Sequence, residues 1–270
     1  MNKTINKIIK FSGIELHNGE LSNVVLVPAP EYSGIYINNK IINTNNIDFG
    51  HMMSKYNDIS LTEHLFSALK YLGINNLFIY CDNKEIPILN GSSIEFVNML
   101  KNNIKFFDSF IDIYKINSLI EFKFNDRFVK IEPSDKFEIN CITDFPYIGK
   151  EQYYFSDFNK YEDEIAHINT ILPKEWVLNE LIINNLKGLD ENKNMTVYTK
   201  NNLPTKCHFP KHKILDIIGD INVLNFNIIG KITSYKGGHY YNNNLCIKIY
   251  DNYLNNLKKY VTVVSINKAL

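Results

Sequence analysis

Apolar residues along this chain switch between alternate and helical spacing, and the switches mark its elements. SNVVLVPAP (22–30) and SGIYINN (33–39) are short, apolar and β-branched, and predict strands. SLTEHLFSALKYLG (60–73) changes period: Leu65, Leu69 and Leu72 fall at helical spacing, and Gly73 is placed to end the helix. A strand over 76–81, the turn EIPILNGSS (85–93) and a short helix SIEFVNML (93–100) complete the first half. KNNIKFFDSFIDIYKIN (101–117) reads as the join.

The second half repeats this order. LIEFKFNDRFVKIEP (119–133) predicts a hairpin turning at Asn125 and Asp126, and FEINCITDFP (137–146) continues the sheet. A mixed region spans 160–205, followed by the helix KHKILDIIGD (211–220). IIGKITSYKGGH (228–239) predicts a strand entering a Gly-rich turn, with a helix from about Tyr241 and a terminal strand YVTVVSI (260–266). Strands and helices do not alternate as a doubly wound sheet requires, so the fold class is α+β. The repeated order predicts two similar layered sheet-plus-helix domains, 1–110 and 111–270, as a duplicated unit would give.

Composition narrows the function. Hydrophobic residues make up 45% and charged residues 21% of 270, the balance of a soluble globular chain. A formal net charge of +0 argues against a general nucleic-acid binder but leaves room for a local basic pocket. No apolar run approaches the roughly 18 residues that cross a bilayer, so no transmembrane segment is expected. MNKTINKIIKFSG lacks the apolar core of a secretory signal. Cys81, Cys141, Cys207 and Cys246 lie far apart without a CxxC pair, which fits a reducing cytoplasm.

Chemistry concentrates in three stretches. In KHKILDIIGD, His212, Asp216 and Asp220 recur every fourth residue, which stacks them on one helix face. His212 and Asp216 at this spacing can reach one metal ion, or form an ordinary polar pair; spacing alone favours the second. An unpaired polar stripe inside an apolar helix is costly, which tilts the balance back toward a site. Glu63 beside His64 suits a base next to a metal ligand, but Ser60 to Glu63 also fits a capping box. YKGGHYYNNN (235–244) offers Lys236, two glycines that allow close backbone approach, and His239, or simply a surface turn. His17, His51, His167 and His208 have no nameable partner and read as structural or surface residues.

Together, SLTEHLFSALKYLGINN, EIPILNGSS, HKILDIIGD and KGGHYYNNNL closely resemble the UDP-3-O-acyl-N-acetylglucosamine deacetylases of lipid A biosynthesis. SGIELHNGE (12–20), PAP (28–30), FVKIEP and EIAHINT fit the same family in order, over about residues 3–250. The resemblance implies two α+β domains with the active site between them, working as a cytoplasmic monomer on a UDP-linked acylated glucosamine. It implies one catalytic Zn2+, or Fe2+, held by His64, His212 and Asp216, with Glu63 as general base and His239 as general acid. Thr170 would stabilise the oxyanion and Asp220 would tune His239. Lys213, Lys236, Gly238 and Asn242 would serve the substrate or its loop. An insert over about 171–205 would form an acyl-chain passage, with Trp176, Val177, Leu178, Leu181 and Ile182 supplying apolar surface.

The sequence departs from the family in this region. Asn169-Thr170-Ile171 stands where Arg-Thr-Phe is usual, LKGLDENKNM (186–195) is loosened, CHFPK precedes His212, and Asn90 replaces an Asp. The stretch ahead of the first helix is also shorter. These changes leave open a catalytically weakened relative that binds an acylated sugar nucleotide without turnover.

Overall fold

Two sheets of matching strand order carry the molecule, described in a computed structural model over residues 1–48, 53–178 and 185–267. The first part holds β1 (Lys3–Ile5), β2 (Ile9–Ile14), β3 (Leu21–Pro28), β4 (Ile35–Ile37), β5 (Lys40–Ile41), β6 (Ile47–Asp48), β7 (Lys55–Tyr56), β8 (Ile59–Ser60) and β9 (Leu77–Cys81). Helix α1 (Glu63–Leu72) precedes β9, and α2 (Ile94–Leu100) follows it. Then come β10 (Ile104–Phe106), β11 (Ile113–Lys115), β12 (Ile120–Phe124), β13 (Arg127–Glu132), β14 (Phe137–Phe145) and β15 (Gly149–Phe155). The chain continues through β16 (Ile171–Pro173), α3 (Lys174–Val177), β17 (Thr196–Tyr198), α4 (His208–Asp220), β18 (Asn227–Tyr235) and α5 (His239–Asn267).

The first large sheet runs β2-β3-β9-β4-β5 and the second runs β12-β13-β18-β14-β15, with β11 also paired to β18. Parity matches as well. β9 is antiparallel to β3 and parallel to β4, just as β18 is antiparallel to β13 and parallel to β14. Each central strand follows a helix, α1 before β9 and α4 before β18. The fold is therefore α+β, with the halves matched in topology. β10 pairs back onto β1 in a two-stranded sheet of their own, so the chain returns to its start before entering the second half.

Helices α1 and α4 face each other in a core that runs unbroken through both halves, from Ile5 to Ile249. Leu65, Phe66, Ile214 and Leu215 are fully buried there; each such side chain contributes about 1.5–3 kcal/mol. In α4 only Lys211 and Lys213 escape burial, so His208, His212, Asp216 and Asp220 are buried along with its apolar residues. α1 stops at Gly73, whose φ of 69° lets its N–H reach back to Leu69 and Lys70 carbonyls. The hairpin β12–β13 turns at Asn125 and Asp126 as the sequence predicts.

Three expectations change. YVTVVSI lies within α5 and is not a strand. No Gly or Pro interrupts the chain from Tyr240 to Asn267, so the helix runs on through a β-branched stretch whose propensity is a weak signal. α4 starts at His208, one turn early, because Pro210 sits in a first turn where its missing N–H costs nothing. The capping box is absent: Ser60 belongs to β8, the N-cap is Thr62, and neither makes a side-chain cap bond.

Candidate active site

The packing of α1 on α4 places His64, His212 and Asp216 together. One ligating atom from each lies within 4.8 Å of the others, and all three residues are buried. His212 Nδ1 donates to the Ile168 carbonyl at 3.1 Å, which leaves Nε2 free and 3.5 Å from Asp216 Oδ1. His64 Nδ1 and Asp216 Oδ1 are buried with no hydrogen-bond partner. Orphaned buried polar atoms on an imidazole and a carboxylate, beside the His212 Nε2 that faces Asp216, are what a divalent metal would satisfy, so the donor set fits such an ion. Three protein ligands also leave a position open, as catalytic zinc requires.

Electrostatics prepare this set. Burial pushes the His64 ring down to about 3 and the His212 ring down to about 4, so both are neutral and able to ligate. Burial works against the Asp216 charge, but Lys213, His212 and His239 outweigh it and hold the carboxyl well below the usual range. Lys213 Nζ donates to Asp216 Oδ2 at 2.7 Å, opposite the unpaired Oδ1.

Glu63 and His239 flank the triad. His239 Nε2 lies 3.7 Å from both Glu63 Oε1 and Asp216 Oδ2. Burial pushes the Glu63 carboxyl up to about 7, with His239 opposing and Asp216 adding to the rise. For His239, burial disfavours the charge, yet Asp220, Glu63 and Asp216 together push the ring up to about 9. Its Nδ1 donates to Asp220 Oδ2 at 2.9 Å, so the ring is held by one side and offers the other to the cavity. Asn242 Nδ2 also donates to Asp220 Oδ2, at 2.7 Å, from the first turn of α5.

A cavity of about 420 Å³ opens over these groups. Its lining includes the charged Lys213, Lys236, Arg127 and Asp144 and the apolar Leu61, Ile88, Leu172, Trp176, Leu186 and Met195. The last four come from the insert. Val177 and Leu178 do not border the cavity, and Leu181 and Ile182 lie outside the described residues. Thr170 lines the wall with its hydroxyl donating to Gly91 O at 3.2 Å. Gly91 must be glycine, since a Cβ there would meet Asn194 O at 1.9 Å. Gly237 borders the cavity, whereas the Gly238 carbonyl accepts from Tyr241 and Asn242 amides and starts α5.

The chain matches the UDP-3-O-acyl N-acetylglycosamine deacetylase (LpxC) family over residues 2–251. It belongs to this family. A UDP-3-O-acyl-N-acetylglucosamine deacetylase from Helicobacter pylori strain 26695 is 33% identical over 98% of this chain and 95% of its own length. Relatives of the same name from Wolinella succinogenes and Campylobacter lari are 35% and 34% identical, over 88% and 87% of this chain and 86% and 87% of theirs.

Against this family's pattern, two departures find a physical role here. Asn90 Oδ1 accepts from the Ser92 amide at 3.1 Å and hydroxyl at 2.8 Å, so the turn keeps an acceptor without the Asp charge. Asn169 Oδ1 accepts from Thr196 Oγ1 at 2.8 Å and ties the insert to the wall. His17, unpartnered in the sequence reading, borders the cavity with Nδ1 2.5 Å from Glu85 Oε1. His208 likewise has a partner, the Asn169 carbonyl at 2.9 Å from its Nε2. His167 is exposed, and His51 lies outside the described residues. The residue that motif reading missed entirely is Ser54, whose amide donates to Glu63 Oε2 at 3.1 Å.

Proposed function

We propose that this chain is a zinc-dependent amidase that removes the N-acetyl group of UDP-3-O-acyl-N-acetylglucosamine and releases acetate, in lipid A biosynthesis. One observation carries this reading: the buried His64, His212 and Asp216 set has Glu63 and His239 beside it, in a cavity lined by both charged side chains and an apolar cluster. Zinc held there supplies Lewis-acid polarisation of the amide carbonyl and makes a water more acidic; ferrous iron would serve the same chemistry.

The chain's own groups do the proton work. Glu63 takes a proton from the attacking water as its oxygen bonds to the acetyl carbon. His239 carries a proton at Nε2 and delivers it to the sugar nitrogen as the C–N bond breaks, yielding acetate and a free amine. Asp220 holds the protonated His239 in place through Nδ1. Thr170 serves the oxyanion once its hydroxyl turns from Gly91 O. Lys213 and Lys236 face the sugar and diphosphate, Gly238 and Asn242 set the start of α5 behind them, and the insert holds the acyl chain.

We also divide the chain into domains 1–110 and 111–270, a division supported by β10 closing back on β1. No helix among the described residues is long and apolar enough to cross a membrane. We propose a monomer, because one chain supplies every group named, and a cytoplasmic location, which the four free cysteines fit.

Acetate release from UDP-3-O-acyl-N-acetylglucosamine by zinc-loaded protein tests this. Turnover that Glu63→Gln nearly abolishes, with metal retained, supports it. Tight substrate binding without acetate release would instead favour a relative that binds and does not turn over.

A further inference from the structure

Ser54 is fully buried just ahead of β7, and its backbone is pinned from both sides. Its amide donates to Glu63 Oε2, and its carbonyl accepts from Thr62, the N-cap of α1, at 3.4 Å from the hydroxyl. Its side chain points the other way. The hydroxyl donates to Asp220 Oδ1 and lies 3.1 Å from His239 Nδ1. Asp220 is itself fully buried, and its second oxygen accepts from His239 and Asn242. A buried carboxylate needs such donors on both oxygens to stay fixed and charged.

We propose that Ser54 is a positioning residue for both proton-transfer groups: its amide sets the Glu63 carboxylate, and its hydroxyl sets Asp220 and, through it, the His239 ring. The inference rests on the amidase reading. One residue thereby links α1, the end of α4 and the start of α5, the three elements that must keep register for a proton to leave on one side and arrive on the other. Loss of the hydroxyl leaves the amide contact to Glu63 intact, so the substitution separates the two halves of the role.

Kinetics on zinc-loaded Ser54→Ala protein test it. The kcat is expected to fall about 10- to 100-fold, as for other groups that orient a site residue from behind. KM and bound zinc are expected to stay at wild-type values. In Asp220→Asn protein, the same change is expected to add less than about twofold, because the carboxylate it acts through is already altered. An unchanged kcat, or an equal loss in both backgrounds, overturns the proposal.

Should Ser54→Ala fail to fold, NMR on wild-type protein decides. A slowly exchanging Ser54 hydroxyl proton with a cross-peak to the His239 ring supports the proposal, and its absence overturns it. If wild-type protein releases no acetate, the amidase reading fails, and the same spectrum still reports on Ser54.

Discussion

Gly219 of α4 lies against Glu63 of α1 so closely that a Cβ at Gly219 would stand 2.2 Å from the Glu63 carbonyl oxygen. The two helices that supply the His64, His212 and Asp216 set meet at this point, and only hydrogen fits between them. Gly219→Ala must push α1 away from α4. Overpacking of this kind costs about 1–3 kcal/mol, and His64 should be drawn away from His212 and Asp216. The expected outcome is a lower denaturation midpoint together with weaker zinc binding in chelator competition. Zinc affinity equal to wild type would show that the contact does not set the triad.

The triad should take metal across neutral pH. His64 and His212 are pushed down to about 3 and about 4, so protons do not compete for these rings between pH 6 and 8. His64→Ala and Asp216→Ala are expected to lose the bound ion, read by elemental analysis after gel filtration. In the metal-free protein the sign of the acid response follows from the same shifts. Below the ordinary histidine value of 6.5 the unfolded chain binds more protons at these two rings than the folded one, so stability falls as pH falls. Glu63, raised to about 7, acts in the opposite direction between 4.5 and 7. Urea midpoints should therefore drop most steeply between about pH 4.5 and 3, where Glu63 no longer offsets the histidines and the folded rings are still taking fewer protons than the unfolded ones. A midpoint that rose on acidification through that range would contradict the buried, neutral rings.

The His212, Asp216 and Asp220 stripe was legible because helical period puts fourth residues on one face, and the structure keeps all three buried. What those residues touch was not legible. Ser54 reaches His239 across 185 positions, through a small hairpin whose strands are two residues each and carry almost no periodic signal. His17 finds Glu85 at a separation of 68, which local spacing cannot show. Ser60 and Glu63 match a capping box in sequence, yet strand pairing of Ser60 with Lys55 removes the cap and frees Glu63 for the cavity. YVTVVSI failed for the converse reason: intrinsic β preference lost to an uninterrupted helix.

Turnover should depend on pH through both flanking groups. Glu63 must be ionised to accept a proton, and it titrates near 7 before a cation is added. A bound dication lowers that value, so the acid limb of kcat/KM is expected at or below about 7. His239 must be protonated, and its ring is pushed up to about 9 before a cation is added; the same dication lowers that value too, so activity is expected to fall as pH rises at or below about 9. In Asp220→Asn protein the alkaline limb should move to lower pH, since the first cause of the raised value is gone. A pH profile measured on both proteins checks this, and an unmoved alkaline limb would separate His239 from that step.

Trp176 is 41% exposed and borders the cavity from the insert, so its truncation should leave the fold intact. Partial loss of its apolar surface costs about 1–2 kcal/mol at 25 cal/mol per Å². Trp176→Ala is expected to raise KM about 5- to 30-fold for a substrate with a long 3-O-acyl chain. In the proposed binding mode a short acyl chain stops before this wall, so such a substrate should show little change in KM, and kcat should stay near wild type for both. Trp176 also packs near Phe145, with ring centroids 6.4 Å apart, so Phe145→Ala provides a second test of the same wall. Steady-state kinetics with acyl chains of graded length make the comparison. An equal KM change at every length would remove the insert from acyl recognition and leave Trp176 as a packing residue of the cavity rim.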